Sequence, residues 1–256
     1  MVPISFFDHV EEIKKEMAGK EPVIFLDYDG TLTPIVATPD LAVLSSEMRE
    51  AVKALAQRRK VSIVSGRATD DVRGKVDIDG IFYAGSHGFE IRDPQGRVTI
   101  NEEAGRIRSV IDEIQTLLAD RVKHIKGALI ENVKYTVSCH YRLVAQDDFA
   151  EFEQIIDQAL KDYPQLRKTS GKKVFELRPK IDWDKGKAVG WILDVLKFNP
   201  QQQIAVYIGD DTTDEDAFQV LEKKGFGVLV ADPVRESAAR YAVKDAAQVK
   251  QVLEIL

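Results

Sequence analysis

Apolar residues along this chain recur in two periods. The run Pro22-Val23-Ile24-Phe25-Leu26 is continuous and of strand length, the pattern of a parallel strand covered on both faces. Lys60-Val61-Ser62-Ile63-Val64, Ile81-Phe82-Tyr83-Ala84, Ile204-Ala205-Val206-Tyr207-Ile208 and Gly227-Val228-Leu229-Val230 repeat it. Between these runs the period lengthens. Met48, Val52 and Leu55 predict a helix over Ser45 to Gln57, and further helices are predicted over Asp184 to Leu196 and Thr213 to Lys223. An amphipathic stretch over Phe6 to Met17 precedes the first strand, and Phe89 to Arg92 with Val98 to Ile100 reads as a hairpin around Pro94-Gln95-Gly96.

The pattern changes near Glu102. A helix through Ile107, Val110, Ile111, Ile114 and Leu118 is followed by Ala128-Leu129-Ile130-Glu131 and an alternating stretch from Tyr135 to Val144. A second helix through Phe149, Phe152, Ile155, Ile156 and Leu160 leads to Leu166-Arg167-Lys168-Thr169 and Lys173-Val174-Phe175-Glu176-Leu177. Helix-strand-strand-helix-strand-strand describes a small sheet with its helices on one face. The expected fold is therefore α/β, a Rossmann-like doubly wound parallel sheet over residues 1–103 and 179–256 with an α+β domain inserted at 104–178. Neither flanking piece makes a complete sheet alone.

Four polar clusters fall at strand ends or at a helix start beside them, and open parallel sheets bind ligands beyond the carboxyl ends of their strands. Asp27-Tyr28-Asp29-Gly30-Thr31 follows the first strand. The turn can aim one of Asp27 and Asp29 at a phosphorus as nucleophile and place the other about one water away as proton donor to the leaving oxygen, Gly30 permitting the sharp turn; an acidic turn that caps the next segment is the alternative. Gly209-Asp210-Asp211-Thr212-Thr213-Asp214 gathers three carboxylates at another strand end. A helix cap accounts for one or two of them; all three together call for a hard cation such as Mg²⁺. Ser65 offers a hydroxyl and Gly66 a backbone N–H to a phosphoryl oxygen. At the helix start Asp182-Trp183-Asp184-Lys185-Gly186-Lys187, lysine sits at the end of the dipole that disfavours it, which an anionic ligand or the nearby acids would explain, a solvated surface lysine being the alternative. The residues alone do not choose between Lys185 and Lys187.

Composition narrows the partners. The 256 residues are 44% hydrophobic and 30% charged with a formal net charge of −6, and the basic residues are scattered, which argues against nucleic acid. No apolar run reaches membrane-spanning length and the first residues lack the features of a secretion signal, so a cytoplasmic monomer with no membrane partner is expected. Cys139 is the only cysteine, which excludes an internal disulfide and a thiolate metal cluster. Its alternating surroundings predict a plain buried thiol.

With these residues in hand, the chain resembles the haloacid dehalogenase-like phosphatase superfamily, and within it the trehalose-6-phosphate phosphatase group. The superfamily's four signatures are matched in order by Asp27-Tyr28-Asp29-Gly30-Thr31, Ser65, Lys187 and Gly209-Asp210-Asp211-Thr212-Thr213-Asp214. The resemblance implies Asp27 as nucleophile, Asp29 as general acid/base, and Ser65 and Lys187 as the phosphate grip. It implies Mg²⁺ on Asp27, the carbonyl of Asp29 and Asp210, with Asp211 and Asp214 as ligands through water or as partners of the lysine. The inserted domain corresponds to the family's mobile cap. Gly85-Ser86-His87-Gly88-Phe89-Glu90, Glu131, Lys134, His140-Tyr141-Arg142 and Glu176-Leu177-Arg178-Pro179 are similar to the group's own signatures, so a sugar phosphate is the implied substrate, with Glu131, Lys134, Glu176 and Arg142 on the cap and His87 lining the cleft. Many members place the lysine two residues after the glutamate; here it follows by three, and one residue flips the face of a strand unless a bulge intervenes. The implied activity is hydrolysis of trehalose 6-phosphate through a phospho-aspartate. A phosphatase for sucrose 6-phosphate or glucosyl-3-phosphoglycerate, a phosphomutase and a non-catalytic sugar-phosphate-binding module are the alternatives.

Overall fold

A computed structural model describes residues 1–256. In chain order the strands are β1 (Ile4–Ser5), β2 (Glu21–Leu26), β3 (Lys60–Val64), β4 (Phe82–Gly85), β5 (Glu90–Arg92), β6 (Val98–Ile100), β7 (Leu129–Asn132), β8 (Val137–His140), β9 (Leu166–Gly171), β10 (Val174–Pro179), β11 (Gln203–Gly209), β12 (Gly225–Val230) and β13 (Tyr241–Val243). The helices are α1 (Val10–Met17), α2 (Ser46–Ala56), α3 (Thr69–Val76), α4 (Glu102–Arg106), α5 (Arg108–Val122), α6 (Gln146–Leu160), α7 (Lys185–Val195), α8 (Glu215–Leu221) and α9 (Ala246–Ile255). None is long and apolar enough to cross a membrane.

The chain divides into two compact units. The larger comprises residues 1–65, 69–99 and 183–256, and the smaller residues 66–68 and 100–182. The change from one unit to the other thus falls at Ile100 and Asp182, a little outside the 104 and 178 expected from the change of pattern. Sequence periodicity finds the first helix of the insert, but α4 is too short to show a period.

The larger unit is a nine-stranded sheet in the order β1, β13, β12, β11, β2, β3, β4, β5, β6. The pairs from β1 to β4 are parallel, and β5 runs antiparallel to β4. Alternate residues of the central strands enter separate cores, as the period of two requires. Ile24, Leu26, Ile204, Val206 and Ile208 pack with α1, α2, α3 and α9, whereas Val23, Phe25, Ala205 and Tyr207 pack with α7 and α8. The chain leaves β2 towards β3 on one side and returns at β11 on the other, so the crevice between the ends of β2 and β11 is the switch point of the sheet. The sequence pattern anticipated the core strands. It missed β13 and α9, whose burial becomes clear only once they are seen against β12 and α2.

The smaller unit is a four-stranded antiparallel sheet in the order β7, β8, β10, β9. Ile130, Val137, Cys139, Phe175 and Leu177 point to α5 and α6 and share a core with Ile111, Ile114, Leu118, Phe152 and Ile156. Cys139 lies in this core, where burial pushes its thiol far above the ordinary range. The alternating stretch expected from Tyr135 to Val144 forms a strand only from Val137 to His140, because both ends turn.

Candidate active site

Backbone pairing of β2 runs one residue beyond Leu26, with the Asp27 N–H donating to the Ile208 carbonyl at 2.9 Å. This places the Asp27 side chain, 4% exposed, at the carboxyl end of the central strand. The chain then turns: the N–H groups of Leu32 and Thr33 both donate to the Tyr28 carbonyl, and the Tyr28 hydroxyl donates to the Ala42 carbonyl. Gly30 is required here for two reasons. Its φ is +79°, and a Cβ on it would lie 2.1 Å from Oδ2 of Asp210. Asp29 is half-buried and bridges to Thr33.

Asp27, Asp210 and Asp214 come from two strand ends and one short helical turn, yet one oxygen from each lies within 4.8 Å of the others. The cation among them is Lys185. Its Nζ is 2.8 Å from Oδ1 of Asp27 and 2.7 Å from Oδ1 of Asp214, and the side chain is buried. This corrects the assignment to Lys187. Lys185 is the first residue of α7, capped by Asp184, and shares the buried helix face with Val189 and Ile192. Lys187 is half-buried, and its backbone N–H is the donor that satisfies the Asp184 cap at 2.8 Å. A lysine at the wrong end of a helix dipole is tolerated at position 185 because two carboxylates face it.

Asp214 is a hub of hydrogen bonds. Oδ1 accepts from Lys185 and from the Tyr207 hydroxyl at 2.6 Å, and Oδ2 accepts the backbone N–H groups of Asp210 and Asp211, each at 2.9 Å. Burial works against its charge, but Lys185 and these donors outweigh it and hold the carboxyl below the ordinary range. Asp27 goes the other way: burial pushes its carboxyl well above the usual value, Lys185 opposes this only in part, and Asp214 and Asp210 add to it. The Lys185 ammonium also loses by burial, yet Asp214 and Asp27 raise it well above the ordinary range. One ammonium, that of Lys185, thus stands between two carboxylates, Asp27 and Asp214, with the Asp210 carboxylate beside them. Their oxygen donors, crowded and dry, fit a hard divalent cation. Asp214, with both oxygens already engaged, fits the part of an orienting group. Asp211 caps the turn Thr212–Asp214 in a reciprocal box with Asp214.

Ser65 is fully buried at the end of β3. Its N–H donates to the Ala84 carbonyl and its own carbonyl accepts the His87 N–H, each at 2.9 Å. His87 is buried at φ 57° in the loop after β4, and a Cβ on the following Gly88 would meet the Cβ of Ala188 at 2.2 Å, so this loop packs closely against α7. Gly66, half-buried, falls with the smaller unit.

The expected sugar ligands divide within the smaller unit. Across β7, β8, β10 and β9 the register aligns Glu131, Ser138, Glu176 and Thr169 in one row, on the face turned away from α5 and α6. Glu131 and Glu176 therefore share a surface. Lys134 is not on a strand: it sits at φ 68° in the β7–β8 turn, its N–H donating to Oδ1 of Asn132. The expected problem of strand face does not arise, because the extra residue is taken up by the turn. Arg142 donates from Nη2 to the Lys172 carbonyl at 2.6 Å, tying the end of β8 to the β9–β10 hairpin.

Two residues went unnoticed in the sequence. Tyr207 stands out as a hydroxyl in an otherwise apolar strand, a signal that was available. Arg235 binds Glu215 through Nη1 at 2.5 Å and the Asp211 carbonyl through Nη2 at 3.2 Å, and nothing in the local sequence marks it.

A family profile described as Trehalose-phosphatase matches residues 25–247. A protein of Arabidopsis thaliana named probable trehalose-phosphate phosphatase D is 44% identical over 257 residues, covering 96% of this chain and 70% of the relative. A second Arabidopsis thaliana protein, probable trehalose-phosphate phosphatase C, is 42% identical over 261 residues, covering 98% and 82%. Among solved structures, one described as a trehalose-6-phosphate phosphatase related protein superposes with a TM-score of 0.80 at 25% identity, covering 91% of this chain and 95% of that one.

Proposed function

The chain belongs to the trehalose-phosphatase family, and from that membership and the buried cluster at the end of β2 we propose that this site hydrolyses trehalose 6-phosphate to trehalose and phosphate. The observation that carries the reading is the Lys185 ammonium shared between Asp27 and Asp214 beside Asp210. A nucleophilic carboxylate needs local positive charge to approach a phosphate, and this arrangement supplies it at the carboxyl end of a central strand, where parallel sheets bind ligands.

In the proposed reaction Asp27 attacks phosphorus while the bond from phosphorus to the sugar oxygen breaks. Asp29 gives its proton to that oxygen as it departs. Asp29, now ionised, takes a proton from water, whose oxygen attacks the phospho-aspartate and returns Asp27 to its starting state. Lys185 neutralises charge on Asp27 and the phosphoryl oxygens, and Asp214 with Tyr207 keeps that ammonium in place. Ser65 and Gly66 supply donors to the phosphoryl group. Asp27, Asp210 and the Asp29 carbonyl would hold Mg²⁺, which when bound offsets phosphate charge that one lysine cannot. In the smaller unit, Glu131 and Glu176 accept hydrogen bonds from sugar hydroxyls, with Lys134 as a further contact.

A panel of sugar phosphates assayed for free phosphate, with and without a chelator, tests the reading. Trehalose 6-phosphate is expected to be the preferred substrate, with turnover lost to chelation and restored by Mg²⁺. Asp27→Asn should abolish turnover and leave the circular dichroism spectrum unchanged. Preference for sucrose 6-phosphate or glucosyl-3-phosphoglycerate would refute the substrate, phosphate returned only to sugar would indicate a mutase, and turnover by the Asn variant would refute the nucleophile.

A further inference from the structure

The polar face of the four-stranded sheet carries one contact that the reaction above leaves unused. Glu131 on β7 stands opposite Ser138, and His140 lies two residues further along β8 on the same face. The two side chains are diagonal neighbours and meet, with Nε2 of His140 2.9 Å from Oε2 of Glu131. They are 23% and 39% exposed, so they line the surface without being free in solvent. His140 is directly flanked by Leu129 on one side and Val174 on the other, neither of which competes for its ring nitrogen. Arg142, the nearby cation in sequence, is turned to the Lys172 carbonyl. The imidazole reaches Glu131 directly.

We propose that His140 is a positioning residue for substrate affinity: its Nε2–H fixes one oxygen of Glu131 and so presents the other to a sugar hydroxyl. This rests on the reading of Glu131 as a sugar ligand. A glutamate on a strand has three rotatable bonds, and an unassisted one must be immobilised when the sugar binds. The bond to His140 immobilises it beforehand, on a paired strand of the sheet. Tautomer follows from the arrangement, since a carboxylate can only accept and Nε2 must therefore carry the proton. Because the contact acts on the carboxylate and leaves phosphorus alone, it belongs in KM and not in kcat.

The test measures KM and kcat of the full chain with Mg²⁺ for trehalose 6-phosphate and, separately, for p-nitrophenyl phosphate, which has no sugar hydroxyls. His140→Ala is expected to raise KM for the sugar phosphate about tenfold, the size of one lost hydrogen bond, with kcat nearly unchanged and the small ester unaffected. His140→Gln, which keeps an N–H donor, should recover most of the loss. Adding His140→Ala to Glu131→Ala should change nothing further, because the residue it positions is gone. Three results would overturn the proposal: an unchanged KM in His140→Ala, equal losses on both esters, or a full additional loss on top of Glu131→Ala. If Glu131→Ala itself leaves KM for the sugar phosphate unaltered, the reading of Glu131 fails and the proposal falls with it. A loss in Glu131→Ala without one in His140→Ala removes the proposal alone.

Discussion

Lys185 and Lys187 differ by two positions and by everything that matters in their surroundings. Stepping four and seven residues from Lys185 reaches Val189 and Ile192, both buried, whereas Lys187 leads to Trp191 and Asp194, a half-buried and an exposed position. Helical period therefore held the signal for the correct lysine, but a hydrophobic pattern does not say that a charged residue belongs on the apolar face. That was decided by Asp27 and Asp214 at the far end of its side chain. Lys185→Met is expected to lower kcat/KM by about a hundredfold or more through loss of transition-state charge stabilisation. It should also lower Tm, since Asp27 and Asp214 would be left buried without their cation. Lys187→Met, which leaves the Lys185 ammonium between Asp27 and Asp214, should lower kcat/KM far less than Lys185→Met does. Steady-state assays of the pair, with thermal melts, would contradict the assignment if their effects were reversed.

At the scale of elements, the site depends on how the loop after β11 is tied down. Asp214 reaches back to the N–H groups of Asp210 and Asp211, and Arg235, twenty-four residues from Asp211, holds the Asp211 carbonyl from outside. Glu215 locks Arg235 and also accepts from the Ser237 hydroxyl and the Ala238 N–H, joining α8 to the segment before β13. Arg235 thus acts on Asp210 only through the backbone. Arg235→Ala is expected to weaken Mg²⁺ binding about tenfold, as loss of an outer partner does at metal sites. Calorimetric titration of the metal alone reads this directly, and an unchanged affinity would show that the loop holds its shape without the arginine. No local sequence rule could find this residue, since its function is set by a contact closed by tertiary packing.

At the scale of the molecule, the larger unit holds the cluster of Asp27, Lys185, Asp210 and Asp214, and the smaller one carries the row from Glu131 to Thr169. Each has its own buried core, the smaller one closed by α5 and α6 over a single sheet. Residues 100–182 expressed alone should accordingly unfold cooperatively in denaturant, whereas a non-cooperative transition would mean that this core is not self-sufficient. Local order fixed the rest of what could be read in advance. Continuous apolar runs named the parallel strands, because burial on both faces leaves no room for polar residues, and the polar clusters that end those runs placed Asp27, Ser65 and Asp210 at the carboxyl ends of strands, where the structure has them. Folding alone decided which lysine meets Asp27, that Asp214 spends both oxygens on donors, that Lys134 lies in a turn, and that His140 meets Glu131. These are matters of distance between residues far apart or diagonal across a register, and a linear pattern records the type and order of residues but not the distances that pairing and packing bring about.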